Sequence, residues 1–421
     1  MSGPDAALSM DDRRWDLVAV FLVAIAVRFL TFPWWHDLPF GGDEQYYWIL
    51  ARDIAAGNEL QNALFLRPPL QAVFLSVAAL GSSDPVGGRI AVSLVGALIA
   101  PLILVLARRE FSPTAGLVAG LVWALYPNAI GFSHYLWSET LYVAMLLGTL
   151  AWCFPGRPRP GPVRLSSTSA LLSLCLLAKE AAVLSFAALL ASFVWRTRRV
   201  CLRPLAVASL LFLLVPGLYS AVVSHEVGRP TFVSEAAFYN ANEARHGRTA
   251  WQLPPERSRR LFFVELGSTL AAAPARLTTQ TANLWTPTSF PIHRLLEAPA
   301  RFGNYRAPMS GALAGFAVAA YVLVVVLGIA GLVTAARTPF WTFSVASIVL
   351  LTLSGAVFLM ASRFRLVAMP FLVLYAAAFL SSPRAGLESL RKPTRLAAGI
   401  VCLAIFAGVL WARWSTIGDW G

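Results

Sequence analysis

Two adjacent carboxylates, Asp43 and Glu44, stand in a polar stretch from Gly41 to Leu70 (GGDEQYYWILARDIAAGNELQNALFLRPPL) that directly follows an apolar segment. A carboxylate in such a loop can take the proton of an incoming hydroxyl as a general base. The pair could also hold a divalent metal, although no metal-ligand spacing accompanies it. Acids at this place equally suit the N-terminus of an amphipathic helix read over Glu44–Ala56. Cations recur further on: Arg67, Arg89, Lys179, Arg363 and Arg365 form a set suited to a phosphate or pyrophosphate. His134, Glu139 and Glu180 add ionisable groups. Tyr46, beside the acids, and Tyr239, Asn240 and Asn242 offer groups able to contact sugar hydroxyls.

The elements that must position these residues are membrane helices. Of the 421 residues, 57% are hydrophobic and only 13% charged, and the mean hydropathy is +0.65. Soluble domains carry about 25% charged residues. Apolar runs recur from end to end, so the expected fold class is an all-α polytopic membrane protein. The formal charge of +13 would suggest nucleic acid in a soluble chain. Here the basic residues cluster between apolar runs, the positive-inside pattern, and no nucleic-acid partner is expected. Cys153, Cys175, Cys201 and Cys402 lie in or beside apolar segments without paired spacing, so neither a disulfide framework nor a zinc site follows. The first apolar run is long enough to span and shows no small-residue cleavage site, which reads as a retained helix.

Charge placement sets the sides. Arg13-Arg14 marks the cytoplasmic end of a first span over Trp15–Pro33, and Trp34-Trp35 an outer interfacial belt. Leu70–Gly81 is apolar but only about a dozen residues, too short to span comfortably. If it crossed, Arg108-Arg109 and every later basic cluster would fall outside, so it is read as a helix lying along the outer surface. Further spans follow at Val86–Ala107, Thr114–Phe132, Ser138–Phe154, Ser166–Lys179, Ala181–Trp195, Pro204–Val223, Met309–Thr334, Phe340–Ala361, Leu366–Leu380 and Leu396–Trp414. That makes about 11 spans. Arg157, Arg159, Arg164, the RTRRVCLR cluster, Arg337 and Arg384–Arg395 lie inside. His225–Arg306 is an aromatic-rich outer region in which Arg259–Leu270 reads as an interfacial amphipathic helix. The expected organisation is an N-terminal module over 1–224 with its outer loop at 34–86, an outer region over 225–306, and C-terminal helices over 307–421. Arg28, in the outer half of the first span, is costly there unless paired, and Glu139 or Glu180 is its expected partner.

With the sides assigned this way, the polar residues outside the basic inner loops fall largely on the outer face. The order of these features resembles that of the GT-C glycosyltransferases: an N-terminal helix, a DE-containing outer loop, then RPPL and a juxtamembrane run. GRIAVSLVGAL with LARREF, Glu139 after the third span, LLAKEAA, FYNANEARHG and RFRLVAMPFL extend the likeness over most of the chain. The protein O-mannosyltransferases and the lipid A aminoarabinose transferases are the members it most resembles. That resemblance implies a bundle whose first outer loop floors the active site, a polyprenyl-phosphate sugar as donor, and a lipid, glycan or protein acceptor. It implies Asp43 as the base with Glu44 as its neighbour. Arg67, Arg363 and Arg365, with Lys179 and Arg89, would be donor-phosphate contacts. Glu139 stands where relatives often have Asp. The sequence departs at Arg67, where Lys is common, and at Leu66, where the aminoarabinose transferase has Glu, which weakens the case for a metal. No sizeable soluble domain is expected after the last span.

A transporter or flippase for a lipid-linked sugar would also want cations and aromatics at the membrane. It should carry polar residues on both faces and along a central path, whereas the inner loops here are short and merely basic. No internal repeat is evident. A membrane assembly partner with a decayed site is the third reading. Taken as an enzyme, the chain is expected in the cytoplasmic membrane, N-terminus inside, with its site facing out.

Overall fold

The computed structural model describes residues 10–36, 39–58, 66–154, 161–197, 201–293 and 307–413. Arg157, Arg159, Arg198, Arg199, Trp414 and the end of the outer region (294–306) lie outside the described residues. Among the described residues every regular element is helical, because in hydrocarbon each backbone N–H and C=O must be bonded within its own segment. In chain order α1 (Met10–Thr31) is followed by two short helices, α2 (Glu44–Ala56) and α3 (Leu70–Ala79). Then come α4 (Val86–Glu110), α5 (Pro113–Leu125), α6 (Pro127–Phe132), α7 (Ser138–Cys153), α8 (Pro162–Ala178), α9 (Ala182–Thr197) and α10 (Leu202–Val227). The polar region holds α11 (Ala236–His246), α12 (Pro255–Ala271) and α13 (Ala273–Leu284). The bundle resumes with α14 (Ala307–Thr334), α15 (Pro339–Leu353), α16 (Met369–Ser381), α17 (Pro383–Leu390) and α18 (Pro393–Ala412).

Six of these, α1, α4, α10, α14, α15 and α18, are long and apolar enough to cross a bilayer. The apolar helices α5, α8, α9 and α16 are shorter and pack among them. The run expected over Thr114–Phe132 is not one helix. Tyr126 is extended (ψ 113°) and separates α5 from α6, because the ring of Pro127 disfavours the helical conformation in the residue before it. The run expected over Phe340–Ala361 likewise leaves the α-helical path after Leu353 and finishes in a 3-10 turn over Ser354–Ala356.

The short helix α3 has ten residues, about 15 Å against a hydrocarbon core of about 30 Å. It does not cross. Its Ala72 and Leu75 pack instead on Tyr47, Trp48, Leu50 and Ala51 of α2, and the two make a small layer over the end of the bundle. At the opposite end Arg108, in the last turn of α4, is ion-paired with Asp16 of α1. On the far side of the bundle core α14 and α16 meet backbone to backbone: a Cβ on Gly331 would lie 1.9 Å from the Tyr375 carbonyl oxygen. Small residues at such crossings let helices approach where no hydrophobic effect drives them together.

Candidate active site

Five segments of the chain meet where α2 covers the bundle. Asp43 immediately precedes α2, Arg67 precedes α3, Glu139 opens α7 and Lys179 follows α8, while Arg363 lies in a 3-10 turn over Ser362–Val367. Asp43 occupies the N-cap position of α2 but its side chain caps nothing. One oxygen (Oδ1) accepts from Arg67 Nη2 at 2.7 Å, and the other (Oδ2) pairs with Arg363 Nη2 at 2.9 Å. Lys179 Nζ donates to Glu139 Oε1 at 3.0 Å, and Arg363 Nε reaches the same oxygen at 3.8 Å. Two carboxylates and three cations thus form one connected cluster, with a net positive charge before any ligand arrives.

Burial works to raise the Asp43 carboxyl, but the facing charges of Arg363, Arg67 and Lys179 outweigh it and hold it below the ordinary carboxylate range. Burial likewise works to lower Arg363, and the carboxylates of Asp43 and Glu139 reverse it, keeping the guanidinium firmly charged. Gly42 makes the approach possible. Its φ of +56° is a left-handed turn that disfavours a side chain, and a Cβ there would stand 3.5 Å from the Trp137 ring and 3.7 Å from Arg363 Nη1. Trp137 Nε1 donates to the Gly41 carbonyl at 2.9 Å and ties the loop to the turn before α7.

A cleft of about 500 Å³ opens beside the cluster, with Asp43, Arg67 and Arg363 on its floor and Trp137, Trp251 and Phe290 among its walls. The guanidinium of Arg363 lies over the Trp137 ring at 4.9 Å, and that of Arg67 over Trp251 at 5.6 Å. Asn240, Glu243 and Arg248 border the cleft from α11 and the 3-10 turn after it. Arg248 is exposed. It was not singled out from the sequence, where it is one more arginine in a polar segment; only the return of α11 over the first loop brings it to the cleft.

Several residues expected in the site serve other ends. Glu44 is completely buried and turned away from the cleft. It accepts from the backbone N–H of Gly41 (2.7 Å) and of Leu136 (3.1 Å) and pairs with buried Arg89 at 3.3 Å. Arg89 in turn donates to the His134 carbonyl at 2.9 Å, and neither Glu44 nor Arg89 lines the cleft. Successive side chains at a helix start diverge by about 100°, which sends Asp43 and Glu44 to different places. His134 is also fully buried, within hydrogen-bonding distance of Thr31 (3.1 Å) and Ser93 (3.0 Å). Burial, then the nearby charges of Arg28 and Arg89, push its pKa well below the usual histidine value.

Arg365 is 2% exposed and points into the bundle, bonded to the carbonyl of Thr286 and lying 4.1 Å from the Tyr321 ring centre. It holds a loop and takes no part in the cation cluster. Tyr46 packs edge-on against Tyr47 outside the cleft lining. Tyr239 stacks behind Trp251 at 5.0 Å and donates to the Leu253 carbonyl, while Asn242 donates to the backbone and hydroxyl oxygens of Ser258 at 2.8 and 2.9 Å. Both support the wall without lining it. Arg28 reaches neither Glu139 nor Glu180; it donates to the Ala24 carbonyl of its own helix at 3.0 Å. Glu180 instead bonds Ser234, whose neighbour Ala236 donates from its backbone to the Leu66 carbonyl at 2.9 Å, pinning the residue before Arg67.

Among the described residues no group of three or more His, Cys, Asp and Glu could hold a metal ion. The carboxylates of the cluster, Asp43 and Glu139, are paired with Arg67, Arg363 and Lys179.

The fold matches two solved structures over nearly the whole chain. ArnT from Cupriavidus metallidurans, bound to undecaprenyl phosphate, is similar with a TM-score of 0.54 at 18% identity over 91% of this chain and 63% of that one. The archaeal oligosaccharyltransferase AglB from Archaeoglobus fulgidus, in complex with an inhibitory peptide and a dolichol-phosphate, is similar at 0.50 and 15% identity over 95% of this chain and 55% of that one. The chain therefore spans less than two thirds of either protein's length. No protein-family model and no curated protein matches the sequence. Fold and comparison together define the class: a multi-pass membrane protein with the GT-C fold.

Proposed function

We propose that the protein is a membrane glycosyltransferase that takes a sugar from a polyprenyl-phosphate donor and places it on an acceptor hydroxyl at the outer face. The observation that carries this reading is the Asp43 carboxylate held between Arg67 and Arg363 at the floor of an aromatic-walled cleft, at the membrane end of the bundle. Structural neighbours holding undecaprenyl phosphate and dolichol-phosphate support a lipid phosphate as the carrier. The basic ends of α4 and α15, at Arg108, Arg109 and Arg337, lie opposite the cleft and support an outward-facing site.

In the proposed reaction an acceptor oxygen attacks the anomeric carbon as the bond to the phosphate oxygen breaks, and the electron pair leaves with the lipid phosphate. The acceptor proton passes to Asp43, which becomes the neutral acid. The leaving phosphate needs no proton of its own, since its second pKa is near 6; fixed cations stabilise its growing charge. Arg67 and Arg363, with Arg248 at the rim, are the groups proposed for that role, and Lys179 keeps Glu139 in place beside them. A phosphate entering between the guanidinium groups competes with Asp43 for them. The carboxylate is then released from its two ion pairs and becomes more basic when the donor is bound. Direct displacement would invert the anomeric configuration. Trp137, Trp251 and Phe290 supply apolar ring faces against which a sugar packs.

The test is transfer by purified protein in lipid nanodiscs, offered a panel of radiolabelled polyprenyl-phosphate sugars, with Asp43→Asn as control. Product from the wild type and none from the variant is expected. Undiminished transfer by Asp43→Asn refutes the assignment of the base. Vesicles in which the protein moves a labelled lipid-linked sugar without forming product would establish a transporter instead.

A further inference from the structure

A second, apolar cavity lies away from the cleft. It runs between α14, α15 and α18, with α13 over one end, and has a volume of about 530 Å³. Ile329, Val333, Val345, Ile348, Ala398 and Ile405 line it. Along α18 the lining extends from Arg395 to Val409, a rise of about 21 Å, longer than one leaflet of hydrocarbon. At one end stand two cations, Arg337 and Arg395. Arg337 is exposed and lies over the Trp341 ring at 5.8 Å. Arg395 donates to the Thr334 carbonyl at 2.9 Å and to Ser389. Among the described residues neither is paired with a carboxylate. At the other end Trp285 Nε1 donates to Thr352 Oγ1 at 3.1 Å and closes the groove.

We infer that this groove is a binding site for an anionic membrane phospholipid of the leaflet opposite the cleft, with its head phosphate on Arg337 and Arg395 and one acyl chain along α18. Three observations select this occupant. The groove lies among membrane-crossing helices, so hydrocarbon and not water is what reaches it. Among the described residues its lining carries Arg337 and Arg395 and no acid, and basic pockets between membrane helices hold anionic head groups. The lipid donor of the proposed reaction does not fit the same place. Arg337 precedes α15 and the cleft residue Arg363 follows it, so the groove's cations and the cleft lie at opposite ends of that helix. The Trp285–Thr352 bond, and a second from the backbone N–H of Met360 to Gln280 Oε1 at 2.7 Å, stand between the groove and the cleft wall.

Native mass spectrometry of the delipidated full-length protein tests this, with phosphatidylglycerol and phosphatidylcholine of identical chains added in turn. Phosphatidylglycerol should be retained preferentially, and Arg337→Gln should weaken that retention about fivefold while leaving phosphatidylcholine unchanged. Ala398→Trp fills the groove and should abolish retention of both. The thermal unfolding midpoint of each lipid-free variant confirms that it is folded, and the arginine variant decides the matter should the tryptophan one not fold. Equal retention of the two lipids, or retention unaffected by Arg337→Gln, overturns the proposal. So does displacement of phosphatidylglycerol by polyprenyl phosphate, which would assign the groove to the donor.

Discussion

Asp43 and Glu44 are neighbours in sequence, yet replacing them should have opposite consequences. Glu44→Gln acts on a fully buried group whose partner Arg89 is equally buried, at 3.3 Å. With an effective dielectric near 20 that separation corresponds to an attraction of about 5 kcal/mol. Breaking a buried pair by removing one partner costs about 3–5 kcal/mol in practice. Glutamine also cannot replace both carboxylate oxygens. Oε2 accepts from Gly41 and Oε1 from Leu136, so the new amide NH₂ must face one of those N–H groups. The expected loss of about 3–5 kcal/mol is a large part of the ~5–15 kcal/mol that holds a typical domain folded.

Asp43→Asn acts on a side chain that is 18% exposed at a cleft, where both arginines keep aromatic partners. Its stability cost should stay below about 2 kcal/mol, between that of surface and buried pairs, while transfer falls by about 10²–10⁴. Thermal unfolding in detergent, membrane abundance and the transfer rate of the two variants together separate the roles. A double-mutant cycle with Arg89→Gln should return a coupling of about 3 kcal/mol for Glu44. A Glu44→Gln protein that unfolds at the wild-type temperature but transfers no sugar would refute the structural role given to Glu44.

The depressed pKa of Asp43 predicts a pH profile. A carboxylate with a lowered folded-state pKa stabilises the fold above its unfolded value of about 3.9 and loses that contribution only as pH falls through the folded value. The acid limb of kcat/KM, which reports the free enzyme, should therefore lie below about pH 4, and that of kcat at higher pH if the donor phosphate loosens the two ion pairs. Coincident limbs would count against the exchange. Arg248→Gln should raise KM for the donor and leave the unfolding midpoint unchanged, whereas Asn242→Ala should cost about 1–3 kcal/mol of stability by leaving Ser258 groups unpaired; a donor-specific KM effect of Asn242→Ala would reinstate it as a binding residue. Glu235 is fully buried, and burial raises its pKa against the pull of Arg259 and Arg229. An acid raised in this way stabilises the fold below its unfolded pKa and loses that contribution as pH rises through the folded value. The wild-type protein should accordingly lose stability between about pH 4 and neutral pH through this group, and Glu235→Gln should remove that part of the pH dependence of the unfolding temperature.

How much of this was legible in the sequence follows from which interactions are local. Hydropathy and basic clusters are one-dimensional signals, and they determined an all-helical membrane bundle and a helix after Arg67 too short to cross. Composition and order of charge also brought Asp43, Arg67, Lys179, Glu139 and Arg363 to one face, where the structure joins them through direct ion pairs. What the sequence did not decide is the direction in which each side chain points. Glu44 and Arg89 are as charged as Asp43 and Arg67 and lie on the same side. The first pair is buried because α2, α4 and the turn before α7 close over it, and the second lines the cleft that α11 borders. Asn242 and Asn240 differ by two residues on one helix, about 200° of rotation, and only the packing of α12 determines which of them is used as a brace. The arginine doublet Arg363 and Arg365 divides in the same way, one to the cleft and one to the bundle. Spacing along a chain places charges at a membrane face; which of them remain available for chemistry depends on contacts between helices far apart in sequence.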